Sequence, residues 1–166
     1  MTLSDFTSPG LIVPHLDGRD VPSILQELCH ALHREKRVPD MLPFYHAVLN
    51  REFLVSTDVE FGMAFPHARL ASLNELSFAL GRSAQPVPWG ARSGHPVRLV
   101  FLLAVPATDS TQFLQVISGL ARFAKEMRLV QQIHAAQDPF QILEVLRQAP
   151  LRSRPNADST KRVATP

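Results

Sequence analysis

The sequence has a single cysteine, Cys29, so no internal disulfide can form and the fold must rest on packing and hydrogen bonding. That suits a reducing compartment. No apolar run approaches the roughly 18 residues of a membrane helix, so no membrane insertion is expected. The first residues include Asp5 and no basic cluster ahead of a long apolar stretch, so no secretory leader is read there and the cytoplasm is the expected location. Charge of one sign is scarce as well. The formal net charge is +2, too small for a nucleic-acid footprint, and much of the excess lies late in the chain at Arg147, Arg152, Arg154, Lys161 and Arg162. His30 and His33 lie three apart, but no third ligand stands near them, so no metal centre is expected. No internal repeat is found.

With 45% hydrophobic and 19% charged residues, the chain reads as a globular protein with one core. That core is expected over residues 1–149, followed by a disordered tail over 150–166 that is rich in Pro, Ser, Arg, Asn and Thr. Residues 1–10 read as loosely held. Leu11, Ile12 and Val13 make a short strand candidate.

Asp20 and Pro22 mark a helix start, and Ile24, Leu25, Leu28, Ala31 and Leu32 recur at helical spacing behind it. A second helix is expected from Asp40 to about Glu52, with Pro43 in its first turn. Leu76 to Gly81 reads as a strand, and Pro86 to Gly90 as a loop in which Trp89 covers a core edge. Val97 to Val105 is almost unbroken apolar sequence, which predicts a central strand buried on both faces. Helices are expected from about Ser110 to Ala124, from Arg128 to Ala135 and from Pro139 onward, the last capped by Asp138. His134 lies beside its apolar stripe and reads as solvated, and His95 is given no role.

The stretch that draws chemistry is Phe61-Gly62-Met63-Ala64-Phe65-Pro66-His67-Ala68-Arg69. Pro66 stops a short apolar run, which places His67 just off a strand end, on the connection that leads to Asn74. A histidine near its ordinary pKa of about 6.5 offers a neutral nitrogen near pH 7. Local pattern alone favours a simple strand-ending turn.

These residues, with Arg51-Glu52 and Ser56-Thr57 ahead of them, resemble the signature of the fructose/mannitol-type IIA domains of the bacterial phosphotransferase system, including the nitrogen-regulatory relatives. That pattern runs Arg-Glu, a few residues, then Ser-Thr-Gly-x-Gly-Asn-Gly-x-Ala-x-Pro-His. Arg51, Glu52, Ser56, Thr57, Gly62, Ala64, Pro66 and His67 match it. The blocks His95 to Pro106 and Leu114 to Ala121 resemble the family's next strand and helix, so the likeness covers about residues 10–147.

The resemblance implies an α/β (α+β) fold, a three-layer α/β/α sandwich on a small mixed sheet. It implies a phosphohistidine carrier with His67 as the phosphoacceptor and no cofactor or metal. Arg51 would neutralise phosphoryl oxygens, Thr57 or Ser56 would donate a hydroxyl, and Arg69 would be a second cation. The implied partners are a histidine phosphocarrier protein and a IIB domain or a regulated protein; a homo-oligomer is possible.

Four positions depart from the pattern. Asp58 and Glu60 replace glycines, and Phe61 replaces the asparagine. Phe113 stands where the family has a second histidine, and Gln112 beside it is a substitute donor only if the first helical turn frays. The alternative reading is therefore a non-catalytic regulatory module that keeps the fold and binds a partner.

Overall fold

Residues 1–90 and 95–152 are described by the computed structural model. The expected disordered tail lies, from residue 153 on, outside the described residues. Two short 3-10 turns, Leu3–Phe6 and Pro9–Leu11, precede strand β1 (Ile12–Val13). Helices α1 (Val21–Arg34) and α2 (Met41–Leu54) follow, then strands β2 (Asp58–Val59), β3 (Met63–Ala64), β4 (His67–Leu70), β5 (Ser77–Pro88) and β6 (Pro96–Pro106). Helices α3 (Thr111–Lys125), α4 (Met127–Ala135) and α5 (Pro139–Leu146) close the order.

The helix boundaries follow local chemistry. The Asp20 carboxylate accepts from the Ser23 amide at 2.9 Å and Pro22 occupies the first turn, where its missing amide costs nothing. Asp138 caps α5 in the same way, accepting from the Gln141 amide at 2.9 Å.

Strand β6 is the axis of a six-stranded mixed sheet ordered β1-β5-β6-β3-β2, with β4 also paired to β6. Alternate β6 side chains point to opposite faces. Leu99, Phe101, Leu103 and Val105 join the core under α3, α4 and α5, while Val100, Leu102 and Ala104 join the core under α1 and α2. Both faces are closed, which is why the run carries no polar alternation. The α1/α2 face is lined by Ala64, Ala68, Ala79 and Ala104, whose small side chains let the helices approach the sheet. The result is the expected three-layer α/β/α sandwich.

Several expectations are corrected. Residues 1–10 are packed rather than loose: Leu3 and Phe6 are buried, and the Leu3 amide donates to Ala149 O at 3.0 Å. Two hydrophobic anchors three residues apart outweigh the polar residues around them. The segment after Pro66 is strand β4 and not a connection. It pairs in parallel with β6, His67 opposite Leu103 and Leu70 opposite Pro106, so Pro66 only interrupts the line that β3 began opposite Leu99.

Strand β5 runs on through residues expected to be loop. After a register shift between Arg82 and Val87 it re-pairs Val87 with Val97 and Pro88 with Pro96, and the prolines sit where the ladder is already irregular. His134 is half-buried, and its Nδ1 is shielded from solvent with no hydrogen-bond partner. It is not a solvated helix histidine.

Phe61 forms the β2–β3 turn together with Gly62. Both are left-handed, at φ 72° and 77°. Glycine tolerates this backbone, whereas a bulky residue is strained by roughly 1–2 kcal/mol. The Phe61 ring is half exposed, so few contacts offset that strain. Replacing Phe61→Asn, a residue that visits this region readily, is expected to raise stability by about 1 kcal/mol. Urea denaturation checks it, and a less stable variant would show that ring contacts outweigh the strain.

Candidate functional site

His67 opens β4, and Arg69 follows two residues later on the same face. Both face the first turn of α3, where Phe113 packs against the His67 ring with centroids 5.1 Å apart. The Arg69 guanidinium sits over the same Phe113 ring at 4.6 Å, and its Nη1 donates to Asp109 O at 2.8 Å. Phe113 thus joins the histidine to the arginine in one stack. The Asp109 carboxylate also holds the α3 start by accepting from the Gln112 amide at 3.0 Å. The Gln112 residue lines a separate cleft with Phe6, Asn74 and Thr108.

The His67 ring has a defined tautomer. Its Nδ1 lies 3.0 Å from Phe65 O, an acceptor, so Nδ1 carries the proton and donates. The Nε2 atom is then the lone-pair nitrogen. Among the described residues it has no hydrogen-bond partner, and it is not shielded from solvent. Burial holds the His67 pKa below 6.5; the Phe65 bond opposes that, Arg51 reinforces it, Glu52 opposes it and Arg69 reinforces it. The imidazole is neutral at pH 7.

Arg51 stands in the last turn of α2. Its Nη1 donates to Val55 O at 2.9 Å, while the Val55 amide caps Arg51 O at 3.3 Å. That reciprocal pair holds the guanidinium at the helix end, close enough for its charge to act on His67.

The next residue was not assigned a role from the sequence, yet it organises the site. Glu52 is 7% exposed. Its Oε1 accepts from Trp89 Nε1 at 2.6 Å and from the Thr57 amide at 2.8 Å, and its Oε2 accepts from Thr57 Oγ1 at 2.8 Å; Ser56 Oγ lies 3.4 Å from Oε1, but its one proton goes to Asp58. Three donors around one carboxylate meet the requirement for burying a charge. The Thr57 hydroxyl, expected to face a phosphoryl group, is donated to Glu52. The Arg-Glu dipeptide was the signal that marked this residue, read only for its arginine.

The departures from the pattern fall in different places. The Asp58 side chain is 1% exposed, accepts from Ser56 Oγ and lies 3.3 Å from His95 Nδ1, an ion-pair distance without hydrogen-bond alignment. Glu60 and Phe61 line another cavity, with His95, Pro96 and Arg98. The ring against His67 is that of Phe113. Among the described residues no group of three or more His, Cys, Asp or Glu is placed to hold a metal ion, and no helix is long and apolar enough to cross a membrane.

The profile of the family described as "Phosphoenolpyruvate-dependent sugar phosphotransferase system, EIIA 2" matches residues 5–149. A nitrogen regulatory protein of Bradyrhizobium diazoefficiens is 30% identical over 146 residues, covering 88% of this chain and 95% of that one. The fructose-specific EIIABC component of Bacillus subtilis is 25% identical over 148 residues, and there the match spans 89% of this chain but only 23% of the longer relative.

Among solved structures, the nitrogen regulatory protein IIA-Ntr of Neisseria meningitidis superposes with a TM-score of 0.73 at 23% identity, covering 87% of this chain and 98% of that one. The Escherichia coli mannitol IIA enzyme, solved in complex with phosphorylated mannitol IIB, gives a TM-score of 0.72 at 16% identity, covering 85% and 96%. These likenesses establish the fold.

Replacing Glu52→Gln turns two acceptor oxygens into one acceptor and one donor, so an amide hydrogen meets a donor. A loss of about 1.5–3 kcal/mol in stability is expected. Trp89 is the sole tryptophan, so its emission reports the site directly. An unchanged spectrum and an unchanged urea midpoint would show that the carboxylate is dispensable.

Proposed function

The chain belongs to the EIIA 2 family of the phosphoenolpyruvate-dependent sugar phosphotransferase system, and we propose that it accepts a phosphoryl group on His67 Nε2, then transfers it or signals by its phosphorylation state. The observation that carries this reading is the tautomer: Nδ1 is held by Phe65 O at 3.0 Å and Nε2 is left free.

Phosphoryl transfer needs an in-line nucleophile and charge compensation around the equatorial oxygens. The neutral Nε2 attacks phosphorus on a phosphohistidine donor, a new N–P bond forms, and the donor's N–P bond breaks with its electron pair returning to the donor ring. No separate base is required, because the proton of His67 stays on Nδ1 throughout, donated to the Phe65 carbonyl. The ring becomes cationic while carrying an anionic group, and that carbonyl stabilises the charge it gains. Arg51 approaches from the α2 end, and Arg69 leaves its place over Phe113 to reach the phosphoryl oxygens.

A histidine phosphocarrier protein as donor, and a IIB domain or regulated protein as acceptor, fit this chemistry. The mannitol relative solved with phosphorylated IIB supports the IIB reading. The nitrogen regulatory relative, matched over nearly its whole length, supports signalling. Beside Arg51 lie Phe53, Leu54 and Val55, exposed by 75%, 80% and 62%, an apolar ridge next to the site suited to docking. A regulatory module without phosphoryl transfer is the second reading. It is favoured by Phe113, which offers no donor, and by a Thr57 hydroxyl already committed to Glu52.

The test incubates the protein with phosphoenolpyruvate and the two general phosphotransferase proteins and measures acid-labile phosphate. Label is expected on wild type and absent from His67→Ala; Arg51→Ala should slow labelling by ~10²–10³. Because the folded pKa is lowered, the unfolded chain takes up the proton first. The imidazole therefore contributes stability above pH 6.5 that is lost as pH falls from 6.5 through the lowered value. The labelling rate should hold its plateau below pH 6.5 for the same reason. Unlabelled wild type with active donors leaves the regulatory reading standing, and label surviving His67→Ala moves the acceptor elsewhere.

A further inference from the structure

A second cavity, of about 450 Å³, lies at the other end of the sheet. Its wall includes Arg98 on β6, whereas His67 pairs with Leu103, five residues further along that strand, or about 17 Å at ~3.3 Å per residue. The cavity is cationic on one side. Arg98 donates through Nε to Ser83 O at 3.2 Å, and its terminal nitrogens have no protein acceptor among the described residues. His134 also lines this space, at the end of α4, where Arg82 donates to Ile133 O and Ala136 O at 2.7 Å each; its unpaired Nδ1 lies behind the cavity wall, shielded from solvent. Burial lowers the His134 pKa, and the charges of Arg98 and Arg82 lower it further.

The other side is apolar: the half-exposed Phe61 ring with Pro86 and Pro96. Glu60 is the acid among the described lining residues, and it is exposed. His95 also lines the cavity, but its Nδ1 is turned toward Asp58. Unmatched positive charge beside a flat apolar wall, next to a strained turn residue, is an arrangement that packing alone does not require.

We propose that this cavity is a ligand site for a small organic anion, with a phosphate or carboxylate head meeting Arg98 beside the His134 ring and a flat apolar body lying against Phe61, Pro86 and Pro96. The site stands apart from His67 and does not depend on how that residue is read. Such a ligand supplies the acceptor that the Arg98 terminal nitrogens lack and offsets the mutual repulsion of the cations around His134.

The test follows histidine ring resonances of the full, unphosphorylated chain at fixed pH while phenyl phosphate, benzoate or inorganic phosphate is added. A saturable shift of His134 is expected, tighter for phenyl phosphate than for inorganic phosphate. Arg98→Gln should weaken it about tenfold or more, since a charge-assisted contact is lost. Phe61→Asn should weaken phenyl phosphate and benzoate but leave inorganic phosphate unchanged. Glu60→Gln should strengthen all three, an outcome that a poorly folded variant cannot imitate. A phosphate-only or carboxylate-only response identifies the head group. Overturning results are a His134 resonance unmoved by all three probes, shifts confined to His67, or equal affinity in Arg98→Gln.

Discussion

A single buried carboxylate ties the site together. Glu52 stands at the end of α2 and receives donors from the Trp89 indole and from the Thr57 amide and hydroxyl. Three separate stretches of chain converge on it: the helix that carries Arg51, the turn into β2, and the residues after β5. Removing a charge from water is expensive, and only a complete donor set makes its burial tolerable. Once that set is assembled, Arg51 has a fixed origin and the segment leading to the β2–β3 turn has a fixed path. The His67 imidazole lies on that path, two residues beyond the Phe65 amide that donates to Thr57 O at 3.2 Å.

The sheet supplies the second constraint. Because β6 is buried on both faces, the strands beside it have little freedom of register. Pairing opposite Leu103 sets which face His67 presents, and alternation puts Arg69 on that face too. The α3 start then meets them with Phe113. Where a histidine would offer a hydrogen bond, the phenylalanine offers a ring face, which gathers a cation and stacks on the imidazole. The site trades one donor for an aromatic bridge.

How much of this was legible varies residue by residue. The β6 run was readable because a strand buried on both sides has no other appearance in sequence. The α1 and α5 starts were readable because Asp caps and first-turn prolines act locally. Strand β4 was not, since His67 to Leu70 has mixed polarity and owes its extension to β6, over thirty positions away. The N-terminal anchors Leu3 and Phe6 were overlooked because their partners lie at the far end of the chain. Of the candidate site, His67 and Arg51 were singled out through a motif. The work of Glu52 went unread, because one of its donors, the Trp89 indole, lies 37 positions away and leaves no local pattern.

From its own residues the chain determined its mixed α and β character, its single core, most of its helix boundaries and its central strand. These depend on period, caps and turn chemistry, which act within a few positions. Tertiary structure alone decided which His67 nitrogen is free, which donors the buried carboxylate absorbs, and that Phe113 rather than Phe61 lies against the imidazole. Each of those is a contact between segments distant in sequence. Its geometry exists only when the sheet brings the segments together.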